Sequence, residues 1–336
     1  MRIGITGGSG ALGRALLDRL TQDGADRLVT FSRDEHKRAL LARTYSWHPG
    51  FRVYAGDVRD LTRLVDIFSG CDAVIHAAAR KVVTGHPDEP EEMLKTNVVG
   101  TLNVIEAAKT AGVRKLVVVS SDKAVQAVNV YGTSKALGEH LSIMANARTF
   151  PAGLRVGVVR YGNVLGSTGS VLVRWRAQHA AGEPLSITDP EMTRFWITLP
   201  QAVDVVLSAL ASLRGGEIVV PDLLAASIRT LAEAVAGPDV RFAPVDDPVE
   251  GVNAPRQGGE KLYEELVSSV EARRVRWYQG RYVVPPFQHA EMWDATPWLG
   301  EPVPGGFAYR SDTWPKRLTV EAMRDLIGAS ACVSSP

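Results

Sequence analysis

Two short stretches of this 336-residue chain carry side chains whose types and spacing could do chemistry. Tyr131 and Lys135 form a Tyr-x-x-x-Lys pair. On a helix they would lie one turn apart on one face. A free tyrosine titrates near pH 10, so a base working near neutrality needs a pKa lower by ~3 units, roughly 4 kcal/mol. An ammonium beside the phenol favours phenolate, and Lys135 is the cation expected to supply it. Just upstream, Ser120-Ser121-Asp122-Lys123 sets an acid and a base side by side. That suits an elimination, in which one group protonates a leaving hydroxyl while the other removes a proton from carbon. Both signals have a plainer reading. Tyr and Lys at this spacing occur by chance in many helices, and Asp122-Lys123 could be an exposed turn ion pair. The elements that hold them decide.

Short β-branched runs alternate with amphipathic stretches over the first two-thirds of the chain. Strands are expected at 2–6, 27–31, 51–55, 73–77, 115–119 and 156–159. Helices are expected at 11–21, with Leu12, Leu16, Leu17 and Leu20 on one side, and at 90–111 and 134–147. That order implies an α/β fold, a doubly wound parallel sheet of Rossmann type. Asp122 and Lys123 then stand at the C-terminal end of the fifth strand, where ligands bind in such sheets. After Arg160 the pattern loosens into a glycine-rich loop, a helix at 171–181 and segments broken by Pro184, Pro190 and Pro200. The Pro-, Gly- and Trp-rich tail from 281 is expected to pack over the main body. The expected division is a dinucleotide-binding domain at 1–165 and mainly a smaller substrate lobe and C-terminal segment at 166–336, with some chain returning to the first domain.

Between the first strand and the first helix runs Gly7-Gly8-Ser9-Gly10-Ala11-Leu12-Gly13. Glycines at 7, 10 and 13 allow a tight turn and let a pyrophosphate approach the N–H groups of a helix N-terminus. A glycine triplet alone says little; between a strand and a helix it points to a dinucleotide. The second strand runs into Ser32-Arg33-Asp34-Glu35-His36-Lys37. An acid there accepts the ribose 2′-hydroxyl of NAD, whereas an Arg accommodates the 2′-phosphate of NADP. Arg33, with Lys37 one turn on, favours NADP; in the other reading Arg33 is a solvated charge and Asp34 takes the ribose. Asp57 and Val58 could meet the adenine. Ala77, Ala78 and Ala79 are small where the chain must pass close to the cofactor, and Lys135 could hold the nicotinamide ribose. His76 reads as a packed strand residue.

Composition narrows the field. Hydrophobic residues make up 45% and charged residues 22%, with formal net charge +1, so no broad field favours nucleic acid or an anionic membrane. Cys71 and Cys332 give neither a disulfide framework nor metal spacing. No metal is expected. No apolar run approaches the ~18 residues of a membrane span, and a strand pattern at the very N-terminus leaves no room for a signal peptide. These features imply a cytoplasmic protein.

The chain resembles the inverting UDP-N-acetylglucosamine 4,6-dehydratases, which are extended short-chain dehydrogenases. The likeness rests on residues 6–13, Ser32-Arg33-Asp34-Glu35, Lys95-Thr96-Asn97-Val98-Val99-Gly100, Ser121-Asp122-Lys123-Ala124 and Asn129-Val130-Tyr131-Gly132-Thr133-Ser134-Lys135. It continues in Arg160-Tyr161-Gly162-Asn163-Val164, Ile187-Thr188-Asp189, Met192-Thr193-Arg194-Phe195-Trp196, Gly259-Glu260-Lys261-Leu262 and residues 306–313.

The resemblance implies a mechanism on a UDP-sugar. Tyr131 takes the proton of the sugar 4-hydroxyl as hydride leaves C4 for NADP+. The C4 ketone acidifies C5–H, Lys123 removes that proton, and Asp122 helps water leave C6. Hydride returns to C6 and C5 is reprotonated from the opposite face. A lysine base must be neutral when it acts, which nearby positive charge such as Lys135 would favour. Lys81 and Asn97 match family positions near the sugar and are expected among the cofactor contacts, with Ser120 and Tyr161. Ser121, Asn163, Ser170, Arg194, Arg256 and Glu260 are expected to meet the substrate. Relatives assemble as dimers or larger, which implies a homo-oligomer.

The chain departs from the family pattern at Thr168, in the extra residue of Arg256-Gln257-Gly258-Gly259-Glu260-Lys261, at Tyr263 and over 82–89. These departures bear on which sugar is bound more than on the reaction. Two other functions stay open: a nucleotide-sugar 4-epimerase, which has no need of Asp122-Lys123, and a non-catalytic NADP-binding protein, which would not need an intact Tyr-Lys pair.

Overall fold

The computed structural model describes residues 1–81, 90–149, 153–166, 171–244, 260–286 and 300–331. Near-continuous apolar runs make the central strands, as a parallel sheet covered on both faces requires. The strands β1 (Arg2–Thr6), β2 (Arg27–Ser32), β3 (Phe51–Ala55), β4 (Ala73–His76), β5 (Lys115–Ser121) and β6 (Arg155–Tyr161) lie in the order β3-β2-β1-β4-β5-β6, all parallel. Ile218–Pro221 continues the parallel set beside β6, and Arg281–Val284, Arg276–Tyr278 and Glu301–Pro302 extend that edge antiparallel. This is the Rossmann architecture expected from the sequence. The strand order reverses between β1 and β4, which opens a crevice at the carboxyl ends of the strands.

Helices α1 (Ala11–Gln22), α2 (Glu35–Thr44), α3 (Leu61–Phe68), α4 (Pro90–Met93), α5 (Gly100–Thr110) and α6 (Val130–Thr149) connect the strands. On α1, Leu16, Leu17 and Leu20 are buried, the stripe read from their spacing. Two differences from the sequence reading bear on the site. The helix expected over 90–111 is interrupted by a π-helical turn, Leu94–Val99. The reason is Asn97, whose side chain turns inward to bond the backbone of Arg80 at 2.7 and 2.9 Å and Ser134 Oγ at 2.9 Å. The helix expected from 134 begins at Val130, with the Gly132 N–H donating to Asn129 Oδ1 at 2.7 Å, so Tyr131 sits in its first turn.

A second, smaller core surrounds Leu172, Trp175, Ile187, Trp196, Leu231, Leu318 and Met323, beside a sheet formed by Asn163–Val164, Thr193–Ile197 and Leu224–Ser227. The tail does more than cover the body. Arg281–Val284 is a sheet strand, and Tyr282, Tyr309 and Trp314 stack with Phe307, their ring centroids 4.2–6.2 Å apart. Among the described residues no helix is long and apolar enough to cross a membrane, and no group of three or more His, Cys, Asp or Glu could hold a metal ion.

Candidate active site

A cleft of about 1320 Å³ runs along the carboxyl ends of the strands. One small ligand typically occupies ~300–1,000 Å³, so this space suits two. Of the residues expected to meet a cofactor, Gly7, Ser9, Gly10, Ala11, Leu12, Gly13, Ser32, Arg33, Lys37, Asp57, Val58, Ala77, Ala78, Ala79, Lys81, Ser120, Tyr131, Lys135 and Tyr161 line it. Asn97 does not: its amide is bonded to Arg80 and Ser134, so it fixes the path of the chain beside Lys135 rather than a ligand.

The glycine turn is sterically enforced. Gly7 has φ +73°, and a Cβ on Gly13 would stand 2.2 Å from the Gly7 carbonyl oxygen, so α1 can approach the turn only without a side chain there. At the next strand end, Asp34 accepts from the Lys37 N–H at 3.0 Å and caps α2. Arg33 stands exposed with its guanidinium 3.7 Å from Asp57. His76 is packed: Nδ1 lies 2.7 Å from Thr6 Oγ1 and Nε2 3.1 Å from Thr101 Oγ1. Burial, helped by the charge of Lys135, pushes its pKa down to about 3.

Deeper along the cleft, β5 pairs with β6 as far as Ser121 opposite Tyr161, and a single 3₁₀ turn, Asp122–Ala124, follows. That turn presents Lys123 to the cleft beside Tyr131, while Asp122 has no exposed surface and does not line it. The two groups that looked side by side are thus arranged in depth. Lys123 Nζ donates to Asp122 Oδ1 at 3.2 Å and to Asn163 Oδ1 at 2.9 Å, and Ser121 Oγ donates to Asp122 Oδ1 at 2.8 Å. Asp122 Oδ2 is buried without a hydrogen-bond partner among the described residues.

Electrostatics correct two expectations. Burial raises the Tyr131 pKa, and the cation that opposes this is Lys123, helped by the Ser121 hydroxyl. Lys135 instead donates to the Val119 carbonyl at 2.5 Å, and burial pushes its pKa down to about 8 against the pull of Glu139. Its bond runs to the strand end and not to the phenol. Nor does positive charge make Lys123 neutral. Burial alone would lower its pKa, but Asp122 and Glu264 outweigh burial and Arg194, and the result is raised. Asp122 is raised by burial in spite of Lys123.

Ser121, Asn163, Arg194 and Glu260 line the cleft toward the second core, whereas Ser170 and Arg256 lie outside the described residues, as do Thr168 and 82–89. Arg194 is buried; its guanidinium donates to the Thr193 carbonyl at 2.8 Å. Tyr263, a departure from the family pattern, lies under Arg310 at 4.0 Å. One ionisable group was missed: Glu264, buried, lines the cleft 3.7 Å from Lys123 Nζ. Its position three residues after Lys261, in a stretch already singled out, was the available signal.

The model of the family described as "Polysaccharide biosynthesis protein" matches residues 3–286. A UDP-N-acetylglucosamine 4,6-dehydratase (inverting) of Campylobacter jejuni is 35% identical over 331 residues, covering 96% of both chains. A UDP-glucose 4-epimerase of Rickettsia typhi is 38% identical over 289 residues, covering 84% of this chain and 82% of its own. The solved structure of Pen from Bacillus thuringiensis superposes with TM-score 0.86 at 29% identity, covering 98% of this chain and 97% of its own. Matched nearly end to end, and built around a glycine turn, a Tyr-Lys helix and an Asp-Lys strand tip, the chain belongs to the polysaccharide biosynthesis family of extended short-chain dehydrogenases, with the inverting UDP-N-acetylglucosamine 4,6-dehydratases.

Proposed function

We propose that the protein is an NADP-dependent dehydratase of UDP-N-acetylglucosamine, or of a close relative, that removes water across C5 and C6 and inverts C5. One observation carries this reading: the cleft that begins at the glycine turn reaches Tyr131 with Lys123 beside it, braced by Asp122. Oxidising a sugar hydroxyl asks for a phenol base and a group that holds the nicotinamide ribose, the place we give Lys135. A second amine and carboxylate next to that phenol serve a second proton transfer, for which 4-epimerisation has no use. The name of the Campylobacter relative supports the same class, over more of the chain than the epimerase covers.

The Gly7 turn and the N-terminus of α1 fit a dinucleotide pyrophosphate. Bound there, NADP supplies the acceptor for hydride from C4 and the donor of hydride to C6. Asp34 lines the ribose end with one oxygen engaged in capping α2, and the two cations beside it, Arg33 and Lys37, support NADP over NAD. Tyr131 takes the 4-hydroxyl proton as C4 becomes a ketone. The ketone acidifies C5–H, and the Asp122–Lys123 pair accepts that proton and delivers one to the C6 hydroxyl, so that one water departs. Lys123, the member that reaches the cleft, exchanges protons with the sugar, and the two titrate as a pair. A proton from water then reaches C5 from the other face, and Tyr131 releases to solvent the proton it took from the 4-hydroxyl. We infer a cytoplasmic homo-oligomer as well; the exposed Leu102, Leu137 and Met144 on the packed helices α5 and α6 support association.

Turnover of UDP-N-acetylglucosamine in deuterated water tests the reading by mass and proton spectra. The expected product has lost one water and carries deuterium at C5. An isomer of unchanged mass would mean an epimerase, and no turnover across several nucleotide sugars a binding protein. Mass analysis of the dinucleotide released on denaturation reads NADP against NAD.

A further inference from the structure

Glu264 is a buried carboxylate in the wall of the cleft, and the reaction as written makes no use of it. Three cations converge on it. Its Oε1 lies 3.7 Å from Lys123 Nζ and 4.0 Å from Arg194 Nε, and its Oε2 lies 2.8 Å from Lys261 Nζ. Its backbone is fixed on both sides by one serine: the Glu264 N–H donates to Ser311 Oγ and the Ser311 N–H to the Glu264 carbonyl, each at 2.9 Å. Ser311 Oγ also donates to the Thr193 carbonyl at 3.0 Å. Three stretches singled out in the sequence, those around Arg194, Lys261 and Ser311, therefore meet at this residue, the first two at its carboxylate and the third at its backbone. Lys261 reaches further, donating to the Val125 carbonyl at 2.8 Å in the loop between Lys123 and Tyr131.

We propose that Glu264 is a positioning residue of the dehydration site, the carboxylate that holds the Lys123 amine against Asn163 and sets its protonation. The inference rests on the dehydratase reading for its consequence in catalysis, but not for the contact itself. The ionisable groups that act on Lys123 are Asp122 beside it in the turn, Glu264 from the C-terminal segment, Arg194 from the strand Thr193–Ile197 and Tyr131 from α6. Asp122 and Glu264 pull its pKa up; Arg194 pulls it down. Removing Glu264 leaves one carboxylate against the same cations, so Lys123 should lose its proton at lower pH. Glu264 itself stays ionised despite burial because Lys123, Arg194 and Lys261 surround it.

The test uses the full-length protein with its cofactor, lysines labelled with ¹³C at Cε, and the Lys123 resonance identified by its loss in Lys123→Arg. In Glu264→Gln the Lys123 midpoint should fall by about 1–3 pH units, the usual effect of losing an opposite charge at this range. Glu264→Asp keeps the charge one methylene further back and should shift it less. An unchanged midpoint in Glu264→Gln would overturn the proposal. If that variant does not fold, Glu264→Asp is read alone, and a midpoint and kcat both equal to wild type overturn it. On UDP-N-acetylglucosamine, Glu264→Gln should lower kcat roughly 10-fold or more, with KM nearly unchanged and much of the loss recovered in Glu264→Asp. Loss confined to KM would contradict a role exerted through Lys123. Should wild type fail to dehydrate the sugar, the functional reading falls, while the resonance still decides whether Glu264 governs Lys123.

Discussion

The two ends of the cleft are built differently. At the glycine turn, the groups that face a ligand come from consecutive residues: one strand, one turn and one helix, with Gly13 set directly against Gly7. At the other end, Lys123 depends on Asn163 from one segment, Arg194 from a second, and Lys261 and Glu264 from a third. The first end is a local motif that any sheet of this kind could carry. The second exists only once distant segments have packed, and its charges are set by neighbours rather than by residue type. Breaking each end should therefore have different consequences.

The largest effect is expected at Arg160, behind the second end. Its buried guanidinium donates to Glu139 of α6 at 3.0 and 2.6 Å, to Glu271 at 3.1 and 2.8 Å, and to the Leu266 carbonyl at 2.9 Å. It thus ties the helix of Tyr131 and Lys135 to the segment that follows Glu264. Arg160→Ala leaves two carboxylates facing each other and should cost about 3–5 kcal/mol in urea unfolding. Dehydration should suffer more than dinucleotide affinity. Equal losses in both would say that the two ends are one unit.

Gly13→Ala reverses the test. Its Cβ would meet the Gly7 carbonyl oxygen and Gly8 Cα, at 2.2 and 2.5 Å, so the turn must give way, at about 1–3 kcal/mol. Dinucleotide binding by calorimetry should weaken, while the Lys123 midpoint stays at its wild-type value. Binding as tight as wild type would show that the turn does not hold the ligand.

A third test is in pH, where the effect is spread over several units. His76 titrates near 6.5 in an unfolded chain and at about 3 in the fold. Between those values the unfolded state binds more protons, so stability falls as pH drops through the window, by at most ~1.4 kcal/mol per pH unit. Unfolding free energies from pH 7 to 4 should decline less steeply in His76→Gln than in wild type. Parallel declines would mean that His76 charges freely in the folded state.

Much of this was legible in the sequence. Short β-branched runs located all six central strands, and a 3.6 period the helix after the glycine turn, because a sheet buried on both faces leaves no other place for those apolar runs. The π-helical turn was not legible: Asn97 is an ordinary helix residue until Arg80 and Ser134 are close enough to claim its amide. Glu264 was overlooked for a related reason. A glutamate in a charged stretch looks solvated, and only the return of the chain to Ser311 buries it against three cations.

Residue type and spacing alone determined the Rossmann sheet, the glycine turn and the presence of Tyr131, Lys135, Asp122 and Lys123, since these depend on local backbone freedom and on which side chains exist. Tertiary structure decided what those groups are. It put Asp122 behind Lys123, joined Lys135 to the end of β5 and surrounded Lys123 with carboxylates. Charge and proton affinity inside a protein follow from burial and from neighbours a few ångströms away, and in this chain those neighbours lie far off in sequence.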